Sequence, residues 1–283
     1  MPVARLLPQA KRRTIGAWCF LDHAGPAEFV DDELGLQVGS HPHTNLQTFT
    51  WMLQGEVWHQ DSLGHRQLIR PKQVNLMTAG TGNQQGISHT EQTPDGVKNL
   101  HAVQLWIALP QHQQIAANFQ HYAELPEWQE QGVRYILTTG QYAGRVAPTQ
   151  QYSPLVGVDI QAEQDQSITL QLQAGFEYGI LVLNAAVELN GEHYQQDELI
   201  SLQDCHDNVV LHLKAGSHIM LLGGEPLPHP TYIWWNFVAS NVDDLHQAVE
   251  DWNAGHERFG HIDLQGTPLK RLVAPEVPQG FKV

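Results

Sequence analysis

Two short runs hold the residues best suited to chemistry in this sequence. His41-Pro42-His43 and His89-Thr90-Glu91 each place two metal-capable side chains two residues apart. On a β-strand, residues two apart point to one face, so each run presents two donors in one direction. Folded against each other, the runs would gather His41, His43, His89 and Glu91 at a common point, with room left for water, substrate or O2. Three imidazoles and one carboxylate suit a divalent transition metal and match Ca2+ or Mg2+ poorly, because those ions prefer all-oxygen shells. The chain has 17 histidines, so a single His-x-His also has an ordinary reading. In that reading His41 is a solvated strand-edge residue before Pro42, and Glu91 is an exposed acid at a strand end. Two such pairs, separated by hairpin-like sequence, favour the metal.

The elements that must position these donors read as β. Leu46 to Leu53 is rich in Thr, Phe and Trp, and Gly55 allows a bend. Val57-Trp58-His59 follows, then a turn at Asp61-Ser62-Leu63-Gly64, then short strands over Gln67–Ile69 and Val74–Met77. Leu100 to Leu109 reads as a long strand stopped by Pro110. Short strands between Gly and Pro turns indicate a sandwich or barrel. Ile115, Phe119 and Tyr122 suggest a short helix. A helix is also expected after a cap at Ser240 or Asn241, with Val242, Leu245, Val249 and Trp252 facing the core and Gly255 ending it. The Pro-rich tail from Gly266 is expected to run over the surface. A fixed offset aligns Met52-Leu53 with Val182-Leu183 and Val57 with Val187, which suggests two copies of one module. The same offset puts Gln171 and Gln173 where His41 and His43 stand, so one metal site is expected, in the N-terminal half. The division expected is an N-terminal domain over residues 1–135 and a C-terminal domain over 136–283 that includes the helix and tail.

Composition narrows the function class. A formal charge of −15 disfavours direct binding to nucleic acid or an anionic membrane. No apolar run reaches transmembrane length. The basic run Lys11-Arg12-Arg13 reads as a solvated N-terminal segment. Cys19 and Cys205 lie in apolar contexts and read as buried thiols, as in a reducing cytoplasm. His59, His65 and His101 read as surface or edge histidines. Trp51, Met52 and Trp58 read as core or barrel lining.

With these residues in view, the chain resembles the pirin family of the cupin superfamily. The resemblance rests on Phe20-Leu21-Asp22-His23 with Gly25-Pro26, Ser40-His41-Pro42-His43, Gln54-Gly55-Glu56-Val57 and Asp61-Ser62-Leu63-Gly64. It continues in Met77-Thr78-Ala79-Gly80, His89-Thr90-Glu91, Glu225-Pro226-Leu227 and Trp234-Trp235-Asn236-Phe237-Val238. It implies an all-β bicupin of two antiparallel, jelly-roll-like barrels with a few short helices. It also implies metal ligands at His41, His43, His89 and Glu91. Fe(II) is the ion expected, and the donor set also admits Mn, Ni, Cu, Zn and Co. The activity implied is quercetin 2,3-dioxygenase-like, an oxidoreductase opening a flavonol-like small molecule with O2, with Glu91 as catalytic base. The alternative is a non-catalytic iron-binding regulatory protein with a protein partner, acting as a transcription co-regulator or redox sensor. One departure stands out. Thr44-Asn45-Leu46-Gln47 replaces the usual Arg-Gly-Phe-Glu, and Gln47 in place of Glu is expected to lower the negative charge near the metal.

Overall fold

The computed structural model describes residues 1–30, 33–202 and 209–281; Asp31, Asp32 and Cys205 lie outside the described residues. The chain is an all-β bicupin built of antiparallel sheets, with one α-helix among the described residues. It divides into two compact units. The first holds residues 1–3, 24–121 and 228–283, and the second holds 4–23 and 122–227.

By contact, the units are not consecutive stretches of the chain. The helix and tail belong to the first unit because residues after 228 hydrogen-bond to its strands, Val238 N–H to the Thr44 carbonyl at 3.2 Å and Leu272 N–H to the Ser40 carbonyl at 2.8 Å. Phe237, Leu245, Ala248, Val249, Trp252, Phe259, Ala274 and Val277 form one buried cluster. The tail from Gly266 does run over the surface, and it is pinned there by the buried side chains of Ala274 and Val277. Arg12 is likewise no free surface cation. In the second unit its guanidinium reaches the Tyr178 carbonyl at 3.3 Å and Ser201 Oγ at 2.5 Å.

The first ten strands are β1 Val3–Leu7, β2 Trp18–Glu28, β3 Gln37–His43, β4 Leu46–Gln54, β5 Val57–Asp61, β6 Arg66–Ile69, β7 Val74–Thr78, β8 Ile87–Gln92, β9 Asn99–Ala108 and β10 Asn118–Tyr122. In the first unit, β9, β4, β7 and β10 are neighbours in that order in one sheet, and β3, β8, β5 and β6 form a second. Strand β10 takes the place of the short helix expected around Phe119. There Phe119 packs against the small cluster of Met77, Ala79 and Ile87.

Every residue of β4 from Leu46 to Met52 is buried, because both faces of this strand are covered. The bend after it needs Gly55. Its φ is +78°, and a Cβ there would stand 2.1 Å from the Asn99 carbonyl oxygen. Helix α1, Val242–Ala254, follows the reading of its sequence. The Asn241 side chain accepts from the Asp244 N–H at 2.8 Å, Leu245, Val249 and Trp252 are buried, and Gly255 closes the helix in the left-handed region.

The second unit repeats the first in topology. Its four-stranded sheet runs Gln166–Leu170, Val209–Leu213, Val187–Leu189, Glu192–Tyr194, the same order of first, fourth, second and third strand seen in β3, β8, β5 and β6. The aligned pair of strands also matches, since Glu177–Asn184 and Val187–Leu189 stand where β4 and β5 do. Ile168, Leu170, Val187, Leu189, Leu211 and Leu213 all join one buried aliphatic cluster in this unit.

Candidate metal centre

The expected ligand strands are neighbours. β3 pairs with β8 so that His41 lies directly opposite His89, and on its other side β8 pairs with β5 so that His89 lies opposite Asp61. Residues directly opposite share a face, as do residues two apart on one strand. His41, His43, His89, Glu91, His59 and Asp61 therefore all project from one face of this sheet.

A β-bulge between Val38 and His41 adjusts the aim of the first pair. The bulge holds Gly39, whose carbonyl lies 2.9 Å from His41 Nδ1. Only glycine fits at this position, because the Lys270 carbonyl oxygen of the docked tail stands 1.8 Å from where a Cβ would be.

The three imidazoles converge. His41, His43 and His89 each offer a ring nitrogen, and the three atoms lie within 4.8 Å of one another, in full burial. Nε2 of His43 and Nε2 of His89 are 3.1 Å apart. Two nitrogens bound to one ion at about 2.1 Å sit about 3.0–3.4 Å apart. The Nδ1 atoms of His41 and His43 face carbonyl oxygens, of Gly39 at 2.9 Å and of Asn236 at 3.1 Å. A carbonyl only accepts, so each Nδ1 carries the ring proton and each Nε2 keeps its lone pair. Imidazoles oriented in this way by backbone oxygens are the usual outer shell of a metal site. The donor set thus fits a divalent transition ion on geometry and on chemistry.

Glu91 stands on the same face, two residues beyond His89. Its carboxylate is not close enough to all three nitrogens to join the group of mutually close donors. Loss of solvation raises its carboxyl to about 7.

Two aromatic side chains flank the histidines. Trp106 meets the His43 ring edge-on at 5.2 Å, and Phe119 stacks on His59 at 4.3 Å. Gln47 does not change the charge of this site. It alternates with Thr48 along β4, and Thr48 is the residue opposite Trp106, so Gln47 points to the other face. There its amide donates to Thr78 Oγ1 at 3.0 Å.

Two histidines that read as surface or edge residues are buried. His101 is 6% exposed on β9. His59 is 4% exposed, and its Nδ1 lies 3.2 Å from His89 Nδ1. The signal for His59 was available: His59-x-Asp61 is a third pair of polar side chains at strand period. The turn residues that follow it hid its inward direction. Only His65 of the three is largely open, with its side chain 44% exposed.

The second ligand of the first pair depends on the far end of the chain. Strands Tyr232–Trp234 and Phe237–Ala239 form a hairpin whose turn holds Trp235 at φ +50°. This turn presents the Asn236 carbonyl to His43. Next to it, Thr44 Oγ1 and Asn45 Nδ2 both donate to the Val238 carbonyl, at 3.2 and 2.9 Å.

Burial holds all three ligand imidazoles below the ordinary 6.5, His41 at about 4 and the other two well below 6.5. A histidine depressed in the fold lends stability above its unfolded pKa and loses it as the pH falls. Glu91 works the other way, because its raised carboxyl stabilises the fold at low pH and ceases to do so as the pH rises through 7. With three imidazoles against one carboxyl, the metal-free protein is expected to lose stability on acidification from pH 6.5 towards 4. Urea midpoints measured across that window check this, and the loss should steepen in Glu91→Gln.

Fold and site together define a cupin-type protein with a three-histidine centre in its first barrel. The chain belongs to the pirin family: the model described as Pirin matches residues 1–107, and the Pirin C-terminal cupin domain matches 157–260. A Pseudomonas aeruginosa protein provisionally named a quercetin 2,3-dioxygenase is 50% identical to it, over 98% of this chain and 86% of that protein. A pirin-like protein of Caulobacter vibrioides is 35% identical, over 92% and 91%. A crystal structure of an Acinetobacter baumannii protein named quercetin 2,3-dioxygenase superposes with a TM-score of 0.93 at 45% identity, covering 99% of this chain and 92% of that one.

Proposed function

We propose that this pirin is an iron-dependent oxidoreductase that opens a flavonol-like substrate with O2, in the manner of a quercetin 2,3-dioxygenase. The observation that carries the reading is the convergence of three buried imidazole nitrogens, with the Glu91 carboxyl on the same sheet face. His41, His43 and His89 hold the ion, and Glu91 is assigned as its fourth ligand. When bound, a redox-active ion supplies Lewis acidity toward a substrate hydroxyl and an electron path to oxygen.

The chain's own contribution is positional and acid–base. A base whose pKa lies near the working pH combines a useful ionised fraction with real proton affinity. Glu91 is assigned that role: swung off the ion, its carboxylate takes the proton of the flavonol hydroxyl. Trp106, Phe119, Met77 and Ile87 put apolar side chains beside the centre, which suits an aromatic substrate.

Loading with iron, adding quercetin in air and following the flavonol absorbance tests the reading. Turnover is expected in the native protein. Glu91→Gln is expected to retain part of its metal and lose turnover, by about 100-fold or more, the size of a positioned general base. Unchanged oxygen consumption in Glu91→Gln rules out its role as base. Metal retained by the native protein with no turnover on a panel of flavonols supports the regulatory alternative, in which the bound ion acts on a protein partner.

A further inference from the structure

We propose that His59 is a positioning residue for the metal centre, setting the tautomer of His89 through a directed hydrogen-bond chain that starts at Asp61. The proposal rests on the metal reading above. Of the three ligand imidazoles, His89 alone has no carbonyl at Nδ1 to orient its proton. It faces another imidazole nitrogen instead, His59 Nδ1 at 3.2 Å, and such a contact can run in either direction.

Asp61 settles the direction. Its Oδ1 accepts from the backbone N–H of Leu63 at 2.9 Å and of His65 at 3.1 Å, and its Oδ2 lies 3.2 Å from His59 Nε2 and 3.1 Å from His65 Nδ1. An ionised carboxylate only accepts, so His59 Nε2 must donate. A neutral imidazole has one ring proton, so His59 Nδ1 is then bare and accepts from His89 Nδ1–H. That leaves His89 Nε2 bare, 3.1 Å from His43 Nε2. His59 is 4% exposed, and the Phe119 ring stacked on it, with 11° between the planes, holds its orientation. Each link therefore has one polarity, and its outcome is a third lone pair aimed where the other two point.

Asp61→Asn is the sharpest test, because it should reverse the chain while keeping its shape. The two backbone N–H groups hold the amide oxygen in the Oδ1 place. The amide NH2 then faces His59 Nε2, which has to accept. His59 Nδ1 becomes the donor, and the His89 proton moves to Nε2, directly into the metal position.

Ring-nitrogen chemical shifts from long-range proton–nitrogen NMR on the metal-free protein read the tautomers without any ion. The native protein is expected to show Nδ1–H at His89 and Nε2–H at His59, and Asp61→Asn to show both inverted. Chelator competition with Co(II) should then show affinity lower by about 10–100-fold in Asp61→Asn and in His59→Phe, the range for lost outer-shell partners. Opposite tautomers in the native protein overturn the proposal. So do native tautomers with native Co(II) affinity in either variant. The native spectrum decides even where a variant fails to fold. A native protein that shows the expected tautomers but binds no Co(II) leaves the chain standing and removes the metal reading instead.

Discussion

Replacing His43 by alanine is expected to empty the centre. Its Nε2 is one of the two nitrogens 3.1 Å apart, and its ring is flanked by the other two ligands, which are already engaged, by Trp106 and by the Asn236 carbonyl. Small four-ligand sites hold their ion with about 10–16 kcal/mol, so one ligand is worth roughly 3 kcal/mol, a loss on the order of a hundredfold or more in affinity. Metal content by elemental analysis should fall below stoichiometry in His43→Ala, and flavonol turnover should go with it. The metal-free variant should fold with a loss of stability, because the substitution leaves a cavity and an unpaired Asn236 carbonyl, and a melting curve checks this before metal content is read. Wild-type metal content in His43→Ala would refute the assignment of the triad.

The second large effect is mechanical. Trp252 is 2% exposed at the centre of the cluster formed by α1 and the tail. Phe259 meets its ring at 5.5 Å, the Arg271 guanidinium lies 3.5 Å over it, and its Nε1 donates to the Leu272 carbonyl at 2.9 Å. Trp252→Ala removes packing and the tail's anchor together, for about 3–5 kcal/mol. In a chain of this size that lowers the melting temperature on the order of 10 °C. The same tail donates Leu272 N–H to the Ser40 carbonyl on ligand strand β3, at 2.8 Å. A calorimetric melt with and without metal should therefore show that Trp252→Ala weakens both the fold and the gain in stability on metal binding. A melting point within a degree or two of wild type would mean that the tail is not held through this ring.

The ligand strands were legible because period two is a local property. His41, His43 and His89 needed only the knowledge that residues two apart share a face. Helix α1 was legible for the same reason, since its cap, its apolar spacing and its closing glycine all lie within fifteen residues. What escaped was set by long-range pairing. His59 looked like a hairpin-edge residue because nothing local shows that β8 lies beside β5. The Gln47 substitution was given an electrostatic role because a strand buried on both faces hides which face looks at the metal. The tail's destination depended on a cluster whose members are spread from Phe237 to Val277. Phe119 lies in a Gln-rich stretch where spacing suits a helix as well as a strand, and pairing beside β7 decided it.

The Asn236 carbonyl has a consequence for how the protein is made. A nascent chain that has just emerged through β8 already carries all three imidazoles, yet the oxygen that orients His43 is still about 150 residues from leaving the ribosome at the usual order of synthesis. The finished geometry around His43 thus waits for the hairpin at Trp235 and Asn236, late in synthesis. Until then, the His43 ring lacks the partner that fixes its tautomer, and the three-histidine set is complete in sequence but not in orientation.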